Sequence, residues 1–133
     1  MTERREYAVL YKGIINNRRH VEIIPFEDSL EWLQKQVGGY IESFHPTTKL
    51  TENNIIAWIN EEGKMLKLEP TFILTDGPRQ IDVVVGNMLF TAINGPDTIG
   101  LTPDEVNIVI GWLNDREVWG NDKLSVLRVD MTD

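Results

Sequence analysis

Cysteine is absent from this sequence of 133 residues, and histidine occurs only at positions 20 and 45. The lack of cysteine excludes disulfides, thiolate catalysis and the usual structural zinc sites, and it is typical of proteins in a reducing compartment. No apolar run approaches the roughly twenty residues of a transmembrane helix, and residues 1–6 lack the apolar core of a signal peptide. We therefore expect a cytoplasmic protein that does not bind membranes.

Repeats, low-complexity tracts and linkers are also lacking. A chain of this length buries about two-thirds of its unfolded surface on folding, so it needs no metal or disulfide to be stable. We therefore expect a single domain over residues 1–133.

Basic residues are scarce overall but concentrated at the start of the chain. The formal net charge is −8. Residues 1–20 contain five basic and two acidic side chains, a balance of +3, so residues 21–133 carry −11. An acidic body repels a phosphate backbone, and we therefore expect no direct nucleic-acid binding.

The first predicted helix follows Asp28, which can cap it, with Glu31 placed three residues later as in a capping box. Apolar residues then recur on one face, and the glycines at 38 and 39 supply the left-handed residue that ends a helix. The apolar face consists of Leu30, Leu33 and Val37.

The second predicted helix begins with Thr102 as its cap, Pro103 at the first position and Glu105 completing a capping box, and it ends near residues 114–115. Its apolar face consists of Val106, Val109, Ile110 and Leu113.

Strands are predicted wherever β-branched and aromatic residues cluster between turn formers. Gly13, Asn16 and Asn17 are turn formers that make a hairpin of the first two strands, and an extension of the first strand through Ile14 and Ile15 is the alternative. Asn121 and Asp122 turn the chain into the last strand. Residues 65–68 are predicted to be a further short element. The predicted strands are 7–11, 20–24, 40–44, 54–60, 81–85, 88–93 and 123–129. This order predicts an α+β domain in which two helices pack on a mixed, mostly antiparallel sheet.

Three segments resemble an uncharacterised family, a domain of unknown function met in phages and bacterial mobile elements. Residues 33–42 read Leu-Gln-x-x-Val-Gly-Gly-Tyr-Ile-Glu, residues 60–64 read Asn-Glu-Glu-Gly-Lys, and residues 75–76 and 81–86 read Thr-Asp and Ile-Asp-Val-Val-Val-Gly. The resemblance implies a family-like core over about 28–93, to which the helix and strand of 102–129 are added, and a phage or mobile-element origin. It transfers no catalytic residue.

One segment departs from the family. Members often carry an Asn-Arg-Ala-like sequence before the Thr-Asp pair, whereas residues 70–74 here read Pro-Thr-Phe-Ile-Leu. The resemblance therefore implies no function that rests on that Asn and Arg.

Catalytic patterns are not present. Neither histidine has a metal-ligand or nucleophile spacing, and the neighbouring Ser43 and His45 lack an oxyanion-hole pattern. The glycines at 38 and 39 follow a helix, whose negative dipole end repels phosphate. We expect a non-enzymatic protein without catalytic residues, cofactor or metal. A cation site at Glu61, Glu62, Asp76 and Asp82 is the less favoured alternative to solvated acidic turns.

Arginines and tryptophans supply the candidate ligand-binding residues. A hairpin that brings Arg4 and Arg5 to Arg18 and Arg19, near an aromatic ring, would suit a nucleotide phosphate and base, although a scattered, solvated basic end is the competing interpretation. Trp32 is either a core edge or an exposed anchor. Trp119, with Trp112, is a candidate for an aromatic surface, and Trp58 is assigned to the core.

The leading hypothesis is a counter-defence binding protein that sequesters a nucleotide-like anion in the host cytoplasm. The alternatives are an acidic inhibitor or DNA mimic that binds a host nuclease or regulator, and a structural homo-oligomeric module with Trp112 and Trp119 in its interface. The candidate partners are accordingly a small molecule, a host protein and a second copy of the chain.

Overall fold

The computed structural model of the chain describes residues 4–120 and 123–132. These residues form ten strands and three helices, which confirms the expected α+β class. None of these helices has the length and apolarity needed to cross a bilayer. In chain order the elements are β1 Tyr7–Ile15, β2 Arg18–Pro25, α1 Leu30–Val37, β3 Ile41–Phe44, α2 Thr48–Glu52, β4 Ile55–Asn60, β5 Pro70–Asp76, β6 Arg79–Val85, β7 Met88–Asn94, β8 Asp97–Ile99, α3 Pro103–Asn114, β9 Val118–Gly120 and β10 Ser125–Asp130.

The strands divide between two sheets. A six-stranded sheet has the order β2-β1-β7-β4-β3, with β8 paired to β7, and a four-stranded sheet has the order β6-β5-β10-β9. Antiparallel pairs dominate, as expected, and β5 with β10 is a parallel pair. Strands β6 and β7 were predicted as neighbours along the chain, but they lie in different sheets because Gly86, at φ 80°, redirects the chain between them.

Two apolar clusters cover the two faces of the six-stranded sheet. The larger one lies between this sheet, the four-stranded sheet and α3, and it contains Tyr11, Phe72 and Trp112. The smaller one lies beneath α1, which packs Leu33 and Val37 on the opposite face. Because both faces are covered, the consecutive residues 8–11 of β1 are all buried instead of alternating.

The hairpin of β1 and β2 forms as predicted and is longer than predicted. Asn16 and Asn17 both adopt positive φ, 53° and 63°, as a two-residue type I′ turn requires. Gly13 was predicted to be a turn former, but it lies within β1 at φ 104°, where the register shifts by a β-bulge between Tyr11 and Ile14.

Helix α1 begins one residue later than predicted. Ser29, not Asp28, is the cap, and its hydroxyl accepts a hydrogen bond from the Trp32 N–H at 3.1 Å. Leu30 was expected on the buried face but is 58 % exposed, because the first turn lies beside an open groove instead of over the sheet. Gly38 ends the helix at φ 81°, as predicted.

Helix α3 has the predicted start. The Thr102 hydroxyl accepts from the Glu105 N–H at 3.2 Å, the Glu105 carboxylate accepts from the Thr102 N–H at 2.9 Å, and Pro103 occupies the first turn. Trp112 is buried in the apolar face of this helix, whereas Ile110, predicted there, is half-buried.

Elements with weak local signals were missed: α2, β5, β8 and β9. Strand β5 is the most buried of them and crosses the core as a continuous apolar run. Residues 65–68 were predicted to be a short element but form a turn in which Met65 is 81 % exposed. The turn predicted at Asn121 and Asp122 lies outside the described residues.

Candidate functional site

The four predicted arginines do not meet. Strand β1 spans about 30 Å at roughly 3.3 Å per residue, and Arg18 and Arg19 lie beside the turn at one end of it, while Arg4 and Arg5 lie at the other. The prediction that the hairpin unites them is wrong, because the strand extends to Ile15 and its two ends are far apart.

Arg4 and Arg5 have local partners of their own. Arg4 pairs with Glu6 at 3.5 Å. The Arg5 Nη1 donates to the Glu105 carboxylate at 2.7 Å and to the Gly100 carbonyl at 3.2 Å, which ties the start of β1 to the first turn of α3. These two arginines are therefore paired within the protein, and we do not include them in the candidate site.

Arg19 instead meets the end of α3. Its Nη2 donates to the Arg116 carbonyl oxygen at 2.8 Å. The Arg116 guanidinium in turn lies 4.8 Å from the centroid of the Trp112 ring, and its Nε donates to the Trp112 carbonyl at 3.0 Å. We call this place, formed by Tyr11, Arg19, Trp112 and Arg116, the arginine corner. Arg18 does not join it, because successive side chains of a strand lie on opposite faces of the sheet.

Three buried donors at the arginine corner have no hydrogen-bond partner: the Tyr11 hydroxyl, the Arg19 Nε and the Trp112 indole Nε1. The aromatic rings of Tyr11 and Trp112 both pack on Phe72, with centroids 5.1 and 6.3 Å from it. Guanidinium and indole nitrogens donate only, and a phenol donates readily. An acceptor atom placed beside any one of these donors would complete its hydrogen bonding.

The electrostatics of the corner also favour an acceptor. Burial raises the pKa of the Tyr11 hydroxyl to about 12, against the opposing influence of the Arg19 charge, so this phenol keeps its proton at neutral pH. No carboxylate within residues 4–120 and 123–132 forms an ion pair with Arg18, Arg19 or Arg116. The positive charge of the corner is thus not neutralised by a neighbouring carboxylate.

The two predicted tryptophans lie elsewhere. Trp32 is half-buried, its ring meets that of Phe26 edge-on at 5.4 Å, and it packs at the border of the cluster beneath α1, so the core-edge interpretation is correct. Trp119 lies on β9, with the Arg128 guanidinium 5.0 Å from its ring centroid. Neither ring contacts the arginine corner, and the buried Trp112 does not form an aromatic surface with Trp119.

The family-like segments meet around one buried amide. Asn60 is 5 % exposed, its Nδ2 donates to the Val37 carbonyl at 3.1 Å, and its Oδ1 accepts from the Glu62 N–H at 2.8 Å. A Cβ on Gly39 would lie only 3.0 Å from that Nδ2. The signature thus locks the end of α1 to the turn after β4, which is a structural function.

An acidic cleft of about 260 Å³ opens between β3 and β4 of one sheet and β6 of the other. Its charged lining consists of Glu42, Glu61, Glu62, Asp82 and Lys64, with apolar side chains beside them. A hydrogen bond from the Lys64 ammonium lowers the pKa of the Asp82 carboxyl. Asp76 lies outside the cleft, and no group of three or more potential ligands within the described chain could hold a metal ion.

Sequence reasoning missed Arg116 and placed Trp112 on a surface. Arg116 lies 97 residues from Arg19 in the sequence, just beyond the predicted end of a helix, where a lone arginine carries no positional signal. Asn60 was quoted within the family-like segment and predicted as the last residue of the strand 54–60, with no role for its side chain. The turn of the hairpin and helix α3 were both predicted from the sequence, but their packing against each other was not.

The model of one family matches residues 13–114, more than half of the chain, and its description is "Domain of unknown function (DUF3846)". This range is wider than the predicted family-like core of 28–93, and it includes Arg18, Arg19, Trp112 and the whole of α3. No curated protein and no solved structure matches the chain.

Proposed function

We propose that this chain, which belongs to the DUF3846 family of domains of unknown function, is a non-enzymatic binding protein that holds a small nucleotide-like anion at the arginine corner. One observation carries the proposal: within the described residues, three buried donors lack acceptors, and the guanidinium groups of Arg19 and Arg116 form no ion pair with a carboxylate. A phosphate group supplies several acceptor oxygens and a compensating charge.

Each residue of the corner has a distinct part in this proposal. The Arg19 Nε and the Tyr11 hydroxyl donate to oxygens of the anion, and burial of these donors strengthens such bonds because water does not compete for them. Arg18, exposed beside the turn on the opposite face of β2, contributes its charge to the long-range attraction of the anion without contacting it. The Arg116 guanidinium, held on the Trp112 ring, adds a second fixed charge.

The biological setting extends the same proposal. A protein that sequesters a signalling nucleotide acts by stoichiometry, so it needs tight binding and no turnover. A phage or mobile-element origin, a cytoplasmic location and a role in counter-defence rest on the family resemblance and on the composition of the chain.

Thermal unfolding tests this function with inorganic phosphate, a nucleoside monophosphate and a cyclic nucleotide as probes. At one hundred times its Kd, a ligand stabilises the native state by about 2.7 kcal/mol, which raises the Tm of a domain this size by on the order of 8 °C. We expect a rise of this size with at least one phosphate probe, and its loss in Arg19→Gln.

The matched control is Arg79→Gln, which removes an exposed arginine from β6 that pairs with Asp76 at 3.3 Å, away from the corner. This control should keep the full rise in Tm. An unchanged Tm with all three probes, or an equal rise in Arg19→Gln and the parent protein, would contradict the proposal.

The acidic cleft favours a second candidate function, the binding of a basic protein segment. Four carboxylates line it against one ammonium group, and its apolar walls would accept the stem of a lysine or arginine side chain. This mixture of charge and apolar surface fits a protein segment better than it fits DNA mimicry. If an arginine-containing peptide raises the Tm of the parent protein but not of Glu61→Lys, the acidic cleft is the binding site and the arginine corner is not needed.

A further inference from the structure

Strand β2 is an open edge of the six-stranded sheet. Its eight residues, Arg18–Pro25, pair with β1 on one side, and β1 is the one strand paired with β2 in the part of the chain that the structure describes. Ile23 is 54 % exposed on this strand. Proteins commonly protect such edges with a proline, a bulge or an inward-facing charge. Here the bulge lies in β1, the proline only at the end of β2, and the inward-facing charge, Arg19, near its start, so the backbone from residue 20 to 24 has none of these protections.

Alternate residues of β2 direct their main-chain N–H and C=O groups toward the open side of the strand. The Phe26 N–H donates to the Glu6 carbonyl at 2.9 Å, and bonded pairs alternate along an antiparallel ladder. Opposite Leu10, Glu22 is therefore bonded to β1, whereas Val21 and Ile23 point their N–H and C=O groups outward. Beyond the bulge, the two-residue turn makes Ile15 and Arg18 a hydrogen-bonded pair. The next residue, Arg19, therefore directs its main-chain N–H and C=O groups toward the open edge, as Val21 and Ile23 do.

We propose that this edge pairs with the same edge of a second copy of the chain, antiparallel about Val21, and so joins two six-stranded sheets. In this register Val21 faces Val21 of the second copy, and Arg19 faces its Ile23. All of these residues point outward, so the pairing forms about six main-chain hydrogen bonds, two for each bonded pair.

In this register the side chains of β2 complement those of β2 in the second copy. His20 lies opposite Glu22 of the second copy at a non-bonded pair, where side chains come closest, and Arg18 lies diagonal to the same carboxylate. The aliphatic part of Arg19 covers the exposed Ile23 on the other face. A two-fold axis repeats each contact, so every favourable pair occurs twice.

Neighbouring registers are less favourable. Pairing about Glu22 would place its two carboxylates directly opposite each other and would bring Pro25, which has no N–H, to a bonded position opposite Arg19. Pairing about Arg19 would oppose two guanidinium groups. The register about Val21 avoids like charges and the proline, which is why we assign the second copy as the occupant of this edge.

The experiment is sedimentation velocity of the full chain, at micromolar protein, with three variants. The parent protein should sediment as a dimer of twice 15.3 kDa. Glu22→Lys places a cation opposite His20 and should give a monomer. The double variant His20→Glu with Glu22→Lys places opposite charges at this pair and should return the dimer. Glu52→Lys, an equal charge change on the exposed surface of α2, should remain a dimer.

Two further readouts separate loss of pairing from loss of folding. Glu22→Lys also removes an exposed pair with Lys12, which contributes little to stability. The variant should therefore still unfold cooperatively, with its Tm lowered only by the loss of dimerisation. The amides of Val21 and Ile23 should exchange slowly in the parent and quickly in Glu22→Lys, while the Ile24 amide stays protected in both. A monomeric parent protein, or a dimer that persists in a folded Glu22→Lys, overturns the proposal, and neither result depends on the ligand at the arginine corner.

Discussion

At the scale of single residues, the arginine corner is defined by donors that the fold buries without acceptors. Such groups cost stability in the free protein, by about 1–3 kcal/mol for a buried polar atom. Tyr11 is the clearest case because its ring is part of the core while its hydroxyl has no partner. Removing the hydroxyl alone therefore separates its effect on stability from its effect on binding.

We expect Tyr11→Phe to stabilise the free protein at pH 7 by about 1 kcal/mol, because the unpartnered hydroxyl is removed and the ring packing on Phe72 is kept. The same variant should lose most of the stabilisation by a phosphate probe. Chemical denaturation with and without the probe measures both effects. A variant destabilised by more than about 1 kcal/mol would show that the hydroxyl has a partner in the free protein.

The pKa of Tyr11 also predicts a response to alkaline pH. Its pKa is raised in the folded state from 10.0 to about 12, so the unfolded chain releases this proton first. The contribution of this pKa difference to the free energy of unfolding is fully present below about pH 10 and is lost as the pH rises from about 10 to 12. The Tm of Tyr11→Phe should consequently fall less over this range than that of the parent, and the exposed Tyr40→Phe is the matched control.

At the scale of elements, the family-like segments act as a lock between α1 and the turn after β4. Asn60 satisfies the Val37 carbonyl at the end of the helix and the Glu62 N–H in the turn, at 3.1 and 2.8 Å. The glycines of the signature let the two backbones approach this side chain. The family-like segments therefore hold α1 against the turn after β4, and the residues of the arginine corner lie outside these segments.

We expect Asn60→Ala to lower the free energy of unfolding by about 2 kcal/mol, because it leaves the buried Val37 carbonyl and the part-buried Glu62 N–H without their side-chain partner. Urea denaturation followed by circular dichroism measures this loss. The control Asn94→Ala, at an exposed position of β7, should change stability by less than about 0.5 kcal/mol. Equal stability of the two variants would contradict the role of the lock.

The elements also show which parts of the fold were readable in the sequence. Helix α3 and the β1–β2 turn were predictable because their signals are local: a capping box at Thr102 and Glu105, and asparagines at 16 and 17. Strand β5 was missed although it forms a hairpin with β6, because it begins at a proline and its other partner, β10, lies more than fifty positions away. Leu30 was misplaced because periodicity gives the face of a helix but not how far the sheet extends beneath it.

At the scale of the whole molecule, two sheets and α3 determine which charges meet. The excess of basic residues at the start of the chain was visible in the sequence, but its division between Arg4 and Arg5 at one end of β1 and Arg18 and Arg19 at the other was not. The contact of Arg19 with Arg116 requires the hairpin and α3 to be packed together. Long-range packing of this kind carries no signal in a single sequence.

Native mass spectrometry of the protein purified from cells, before and after mild unfolding and refolding, tests the central claim most directly. We expect the parent protein to retain a mass of nucleotide size that unfolding releases, and Arg19→Gln to retain none. If the parent protein is free of any such mass and does not take up an added phosphate compound after refolding, anion binding at the arginine corner is contradicted.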